Sequence, residues 1–289
     1  MSATGRQAIV VTGASSGIGR AAVLALLGAG FDVFAGVRRD ADGARLRAEA
    51  PSGTAERLTT LSLDVTDAAQ IRAATDQVAR TLGAAGLWGL FNNAGISVAG
   101  PLEHVSSDDL RRQFEVNVIG QAAVTRAFLP LLRRARGRIV TTGSVAGFIA
   151  MPGIGAYAMS KHAMEAFSDA LRRELRPWGI QVSLLEPGAI ATDIWQKGQS
   201  EVEATLVQSP PGLAEDYGPL FDSMRTVVRA SVSHASPAAL VARDVVHAFS
   251  ARRPRTRYRM GADSRLQRWI ARLPDRWADA LIARFLHWG

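Results

Sequence analysis

Three side chains within eighteen residues are of types that can move a proton together: Ser144, Tyr157 and Lys161. Tyr157 and Lys161 stand four residues apart, so on a helix they share one face, about one turn from each other. A free phenol ionises near pH 10, roughly three units from neutrality. A fixed ammonium beside it favours the phenolate and brings the proton into reach of neutral chemistry. Composition singles out the lysine. Of 34 basic residues only Lys161 and Lys197 are lysine, and the rest are arginine. A compact ammonium can serve a phenol and a ribose hydroxyl at once, which a guanidinium fork does less well. A surface lysine one turn from a packed tyrosine would show the same spacing, so the pair takes its meaning from what precedes it.

The elements that must position these groups are legible in order. Gln7 to Thr12 contains a short apolar run, a buried strand. Thr12-Gly13-Ala14-Ser15-Ser16-Gly17-Ile18-Gly19 follows and leads into a helical pattern. Its glycines allow a tight turn and close approach of a pyrophosphate, and the helix start offers free N–H groups and the positive end of a dipole. A second strand, Phe31 to Val37, ends in Arg38-Arg39 with Gly36 where an acid would select NAD. Nothing there repels a 2′-phosphate, and two guanidinium groups are at hand for one, so NADP(H) is the expected cofactor, with NAD(H) as the alternative.

A third strand (57–63) is followed by Asp64-Val65-Thr66-Asp67, an adenine-edge candidate and a helix cap. A helix over 68–82 leads to a fourth strand closing in Asn92-Asn93-Ala94-Gly95, where small residues let a cofactor lie close. One long helix is expected over 107–134, capped by Ser106 or Ser107, with Asn117 inside it among apolar neighbours. An amide in that setting needs partners. Strand five (138–143) ends at Ser144, a helix runs from Tyr157 to about Trp178, and strand six (180–185) precedes Pro187-Gly188-Ala189-Ile190-Ala191-Thr192. Alternating strands and helices predict a doubly wound, mostly parallel sheet of the Rossmann kind, seven strands with helices on both faces. Ligands then bind at the carboxyl ends of the strands.

Composition excludes several classes. The hydrophobic fraction is 47% and the charged fraction 21%, an ordinary globular balance. No cysteine is present, so disulfide and thiolate chemistry are out, which suits a reducing cytoplasm. No signal peptide and no apolar stretch of about 20 residues is indicated. From Ala251 onward there are ten arginines against three aspartates, which supplies +7 of the net +8. The body is therefore near neutral, and a nucleic-acid-binding face is not expected. The five histidines are scattered and suggest no metal site.

In combination and order, Thr12-Gly13-x-x-x-Gly17-x-Gly19, Asn92-Asn93-Ala94-Gly95, Asn117, Ser144, Tyr157-x-x-x-Lys161 and Pro187-Gly188-x-x-x-Thr192 resemble the short-chain dehydrogenase/reductase family over about residues 8–251. The second strand and the C-terminal extension resemble its hydroxysteroid and retinol dehydrogenase branch. The resemblance implies a ketoreductase or alcohol dehydrogenase in which Tyr157 is the general acid or base and Lys161 lowers its pKa and holds the nicotinamide ribose. Ser144 would orient the carbonyl, Asn117 would seat a water in a proton relay, and Thr192 would bind the carboxamide. The cofactor contacts implied are Gly13, Ser15, Ser16, Gly17, Ile18, Gly19, Arg38, Arg39, Asp64, Val65, Asn93, Ala94, Gly95, Tyr157, Lys161, Pro187, Gly188, Ile190 and Thr192. It also implies a homo-oligomer, dimer or tetramer, and no catalytic metal. In the family a basic residue often precedes the middle glycine; here it is Ser16, so the NADP(H) expectation rests on Arg38 and Arg39. A silent dinucleotide-binding sensor would be expected to lack part of the Ser-Tyr-Lys set.

One domain is expected over 1–260, with a substrate lid over about 195–230 that carries Leu206, Leu213, Leu220, Phe221 and Met224. With Ile96, Val98, Phe148, Ile149 and Met151 it would make an apolar cleft for a lipophilic ketone or alcohol. Residues 261–289 read as two amphipathic helices split by Pro274, with Arg265, Arg268, Arg272 and Arg276 at helical spacing and Trp277, Leu281, Phe285 and Trp288 on an apolar side. Such a tail fits either an anionic membrane surface or packing over the cleft or a partner subunit.

Overall fold

A computed structural model describes residues 7–191, 216–223, 225, 226 and 235–286, without the side chains of 262, 263 and 265. Nine strands appear among them: β1 Ala8–Val11, β2 Asp32–Val37, β3 Leu58–Ser62, β4 Gly89–Asn92, β5 Arg138–Thr142, β6 Gln181–Pro187, β7 Ile190–Ala191, β8 Ser236–Pro237 and β9 Arg257–Met260. Seven form one sheet in the order β3-β2-β1-β4-β5-β6-β9, every pair parallel, and β7 pairs with β8 separately. The sheet is thus wholly parallel, a step beyond the mostly parallel expectation. Its order reverses direction between β1 and β4, which opens a crevice beyond their carboxyl ends.

Helices among the described residues include α1 Gly17–Gly28, α2 Asp40–Glu49, α3 Ala68–Leu82, α4 Ser107–Phe114, α5 Gly120–Ala135, α6 Gly155–Glu174, α7 Ala238–Ser250, α8 Ala262–Ile270 and α9 Asp275–Leu286. Side chains on a strand alternate between faces, and β1 shows the consequence. Ile9 and Val11 join a core with Val23, Leu26 and Leu27 of α1 and Val241, Val245 and Phe249 of α7. Ala8 and Val10 join the opposite core with Ile71 and Val78 of α3 and Val124, Phe128 and Leu132 of α5. Each such aliphatic or aromatic side chain contributes about 1.5–3 kcal/mol on burial. The two-sided core fixes the strand ends, and the strand ends carry the chemistry.

The caps follow the sequence. Asp67 accepts from the N–H of Ala69 at 2.8 Å and of Gln70 at 3.1 Å to start α3, and Ser106 accepts from Asp109 N–H at 3.0 Å to start α4. The long helix over 107–134 is not uniform. A π turn, Glu115–Ile119, separates α4 from α5 and contains Asn117. Such turns insert an extra residue and often mark functional sites. Of the lid, Leu220 and Phe221 are buried and Tyr217 donates to Glu103 Oε2 at 2.7 Å; Leu206, Leu213 and Met224 lie outside the described residues. The tail forms the two expected helices on either side of Pro274.

At the far sheet edge, Glu186 is fully buried between two arginines of β9, with Arg257 Nε at 2.9 Å and Arg259 Nε at 2.8 Å. Arg257 also reaches Glu165 at 2.8 Å and Asp169 at 3.1 Å on α6. This network fastens the last strand to the helix that carries Tyr157 and Lys161.

Candidate active site

Beyond the carboxyl end of β5, Ser144 takes an extended backbone and its Oγ accepts from Ala146 N–H at 3.1 Å, opening a short 3-10 turn. The loop that follows returns the chain to α6, whose first turn holds Tyr157. The Ser144 hydroxyl stands near enough to the Tyr157 phenol to favour its ionised form. Lys161, one turn on, is buried; its Nζ lies 5.6 Å from the centre of the Tyr157 ring and donates to Thr142 O at 2.8 Å. The three groups singled out in the sequence therefore meet.

That meeting point is tied to the glycine-rich turn by successive hydrogen bonds. Thr142 accepts from Lys161 and donates through Oγ1 to Asn93 Oδ1 at 3.3 Å. Asn93 Nδ2 donates onward to Gly13 O at 3.1 Å and Thr12 O at 3.2 Å. Thr12 Oγ1 in turn accepts from the N–H groups of Asn93 at 2.9 Å and Ala94 at 3.0 Å. Side chains are excluded from the turn for a steric reason. Gly13 has φ +62°, and a Cβ there would stand 2.7 Å from Ala94 Cα.

Electrostatics departs from the expectation in one respect. Burial raises the Tyr157 pKa above its ordinary value, and the nearby Ser144 hydroxyl opposes this only in part. Burial also brings the Lys161 ammonium down to about 8. The lysine's nearest partner is the Thr142 carbonyl, not the phenolic oxygen, so desolvation governs both groups in the chain alone. At neutral pH the phenol is protonated and is a donor.

Asn117 is buried, and its amide faces the chain after β4. Oδ1 accepts from Ile96 N–H at 2.8 Å, and Nδ2 donates to Ile96 O at 2.9 Å and Ser160 Oγ at 3.1 Å. It is the middle of a ladder that the sequence reading missed. Gln113 accepts from Val98 N–H at 2.7 Å and donates to Ile96 O at 3.0 Å and Ser160 Oγ at 3.2 Å. Gln121 donates to Ala94 O. Three amides at positions 113, 117 and 121 thus hold the segment 94–98 in place, and Ser160 fastens two of them to α6. The spacing of four was the one available signal, though charged neighbours such as Arg111, Arg112 and Glu115 mask it.

At the other end of the crevice, no side chain caps α1; Ser16 stands extended at its start without a capping bond. Its first N–H groups and its dipole are suited to a phosphate. Gly36 is buried, and a Cβ there would lie 2.9 Å from Leu63 Cδ2, so packing keeps an acid from this position. Arg38 is exposed. Arg39 is engaged by Asp42, at 2.9 and 3.1 Å, and the pair holds the Asp42 carboxyl below its usual range. Arg45, not foreseen, donates to Ser15 O at 2.6 Å and Asp42 Oδ1 at 3.2 Å, which brings a guanidinium to the turn itself. Asp64 Oδ1 accepts from Thr66 N–H at 2.9 Å and Oγ1 at 2.7 Å, and Val65 is buried beside it. Gly188 N–H donates to Met260 O at 3.0 Å, and Pro187 and Ile190 are buried. Thr192 lies outside the described residues. An uncapped helix start, an unhindered β2 end and a buried ammonium form a donor set that fits a nicotinamide dinucleotide. Among the described residues no group of three His, Asp or Glu side chains could hold a metal.

Comparison with known proteins agrees with this geometry. The family described as short chain dehydrogenase matches residues 7–203. The chain is similar to mouse (Mus musculus) retinol dehydrogenase 5, 39% identical over 286 residues, covering 96% of this chain and 88% of that one. It is 36% identical over 282 residues to human (Homo sapiens) 17-beta-hydroxysteroid dehydrogenase type 6, covering 96% and 87%. It is also 36% identical over 284 residues to an NADPH-dependent 3-dehydrocapnine reductase of Ornithobacterium rhinotracheale, covering 96% of both. Among solved structures, a short chain dehydrogenase/reductase of Burkholderia phymatum in complex with NAD superposes with a TM-score of 0.73 at 30% identity, covering 90% of this chain and 92% of that one.

Proposed function

The chain belongs to the short-chain dehydrogenase/reductase family of oxidoreductases, and we propose that it uses NADP(H) to interconvert a lipophilic ketone or aldehyde with its alcohol. What supports this most is the continuous tie from Gly13 through Asn93 and Thr142 to Lys161, whose ammonium lies 5.6 Å from the Tyr157 ring. One network aligns the phosphate-binding turn with the proton donor.

In the reductive direction Tyr157, held protonated by burial, donates its proton to the carbonyl oxygen, while Ser144 hydrogen-bonds the same oxygen and stabilises its developing charge. Lys161 would hold the nicotinamide ribose and favour the phenolate left behind. When bound, the dinucleotide supplies the hydride. Gly13, Ser15, Ser16, Gly17, Ile18 and Gly19 would take its pyrophosphate, Asp64 and Val65 the adenine edge, and Asn93, Ala94, Gly95, Pro187, Gly188, Ile190 and Thr192 the nicotinamide half. NADP(H) over NAD(H) is supported by the absent acid at Gly36 and the exposed Arg38. Arg45, which shares Asp42 with Arg39, adds a guanidinium at the turn itself.

Ile96, Val98, Phe148, Ile149, Met151, Leu220 and Phe221 supply the apolar walls. We place the enzyme in the cytoplasm. No helix among the described residues is long and apolar enough to cross a membrane. Exposed Ile119 on the π turn and Met159 on α6 support assembly of copies through those helices. The test is a panel of steroid, retinoid and long-chain ketones with NADPH and NADH, followed by loss of the reduced nicotinamide. NADPH-dependent turnover of an apolar ketone is expected; equal or better use of NADH would overturn the cofactor assignment.

A further inference from the structure

The catalytic network uses nothing beyond β9, yet the described tail carries five large apolar side chains in water. On α8 these are Leu266 and Trp269, 63% and 69% exposed; on α9 they are Trp277, Leu281 and Phe285, 68%, 46% and 63% exposed. On a helix that turns about 100° per residue, Trp277, Leu281 and Phe285 fall within one quarter of the circumference. Arg284 borders that stripe and Asp279 is on the far side. The tail is not a frayed end. Ser264 is buried and its Oγ lies 3.2 Å from Glu186 O as donor, and the Arg268 guanidinium lies 5.0 Å from the centre of the Phe148 ring.

A cavity of about 240 Å³ opens beside this surface, lined by Arg259, Arg268, Trp269 and Arg272. Arg259 is neutralised by Glu186; Arg268 feels the nearby Glu165 carboxylate, yet its Nε is buried with no hydrogen-bond partner among the described residues, and Arg272 stands 5.7 Å from the Trp269 ring. Guanidinium groups converging on one hollow present the donors that a phosphate group accepts in pairs.

We propose that α8 and α9 dock the protein on the surface of an anionic phospholipid bilayer, with Leu266, Trp269, Trp277, Leu281 and Phe285 entering the headgroup boundary and a lipid phosphate seated in the Arg268–Arg272 cavity. Basic and aromatic side chains on one amphipathic element are what such an interface binds. Charge favours this occupant over a second copy of the chain. A two-fold interface pairs a patch with itself, which would set arginine against arginine, whereas the region from Ala251 onward carries +7 and an anionic lipid surface complements it.

The test is co-sedimentation of the full chain with vesicles of phosphatidylcholine alone and of phosphatidylcholine with phosphatidylglycerol. The variants are Arg268→Gln with Arg272→Gln, and Trp277→Glu with Phe285→Glu, their folding checked by melting curves. The chain should pellet with the phosphatidylglycerol vesicles and leave them at high salt. The arginine pair should weaken binding by about fivefold for each charge removed, and the aromatic pair should abolish it. Inorganic phosphate at millimolar concentration should not release the chain if the bilayer is the ligand; release by phosphate alone would overturn the bilayer assignment. Equal pelleting without anionic lipid, or a dimer that the aromatic pair disperses while vesicles are ignored, would also overturn it. None of these measurements reads turnover, so the result is separate from the proposed activity.

Discussion

Helix α6 and helix α9 are built from similar parts and do opposite things. Each sets an aromatic and basic side chains at helical spacing: Tyr157 and Lys161 on the first, Trp277, Phe285 and Arg284 on the second. On α6 Lys161 is buried and Tyr157 half-buried, so Lys161 donates to Thr142 and its ammonium falls to about 8. On α9 the same residue types remain solvated, with Arg276 and Arg284 exposed. The contrast shows that spacing selects which side chains are neighbours. Desolvation decides whether neighbours become reactive.

The sharpest way to break the comparison is to delete the phenolic oxygen. Tyr157→Phe removes the proton donor and leaves the ring packed on the turn of α6. Turnover should fall by about 10²–10⁴-fold, the usual share of general acid catalysis, with dinucleotide affinity changed less than threefold or so, read by fluorescence titration. Retained turnover would transfer the acid role elsewhere.

How far the sequence reached follows from the same physics. Strand ends and the glycine-rich turn were visible because burial on both faces of a parallel sheet leaves continuous apolar runs, and turn residues stop them. Tyr157, Lys161 and Ser144 were visible because their types and spacing are chemical. The π turn was not, since one inserted residue leaves a helical pattern intact while changing which carbonyls are paired. Gln113, Gln121 and Ser160 escaped because the partners of the two amides are backbone groups of another segment, and such groups have no signature in sequence. Arg45 and the Glu186 network depend on which side chains long-range packing brings together. The rise of the Tyr157 pKa in the chain alone was not legible for a related reason: proximity to a cation can be read from spacing, whereas the extent of desolvation is a property of the fold.

A pH series sharpens the comparison at intermediate magnitude. Lys161 has a folded pKa depressed to about 8, so its charge is present below that value and is lost as pH rises through it. If the ammonium holds substrate-side groups in line, kcat/KM for reduction should be flat near neutrality and decline above about pH 8, approaching tenfold per unit. Lys161→Arg keeps a cation that does not titrate in this range. Its absolute rate should be lower, but the alkaline decline should move upward by at least one unit. An unshifted decline would assign the titration to another group.

The smallest expected effect compares two phenylalanines. Phe128 on α5 is fully buried, and its replacement by alanine should cost about 3–5 kcal/mol, the range for opening a cavity in a packed core. Phe285 on α9 is 63% exposed, so Phe285→Ala removes little packing, and its unfolding free energy should stay within about 0.5 kcal/mol of the parent, measured by denaturant titration at low protein concentration. The two substitutions delete the same atoms, so the difference isolates burial from chemistry. A cost of several kcal/mol at Phe285 that grew with protein concentration would mean the outer face of α9 is covered by another copy in solution, and the likeness between α6 and α9 would then extend to burial as well as spacing.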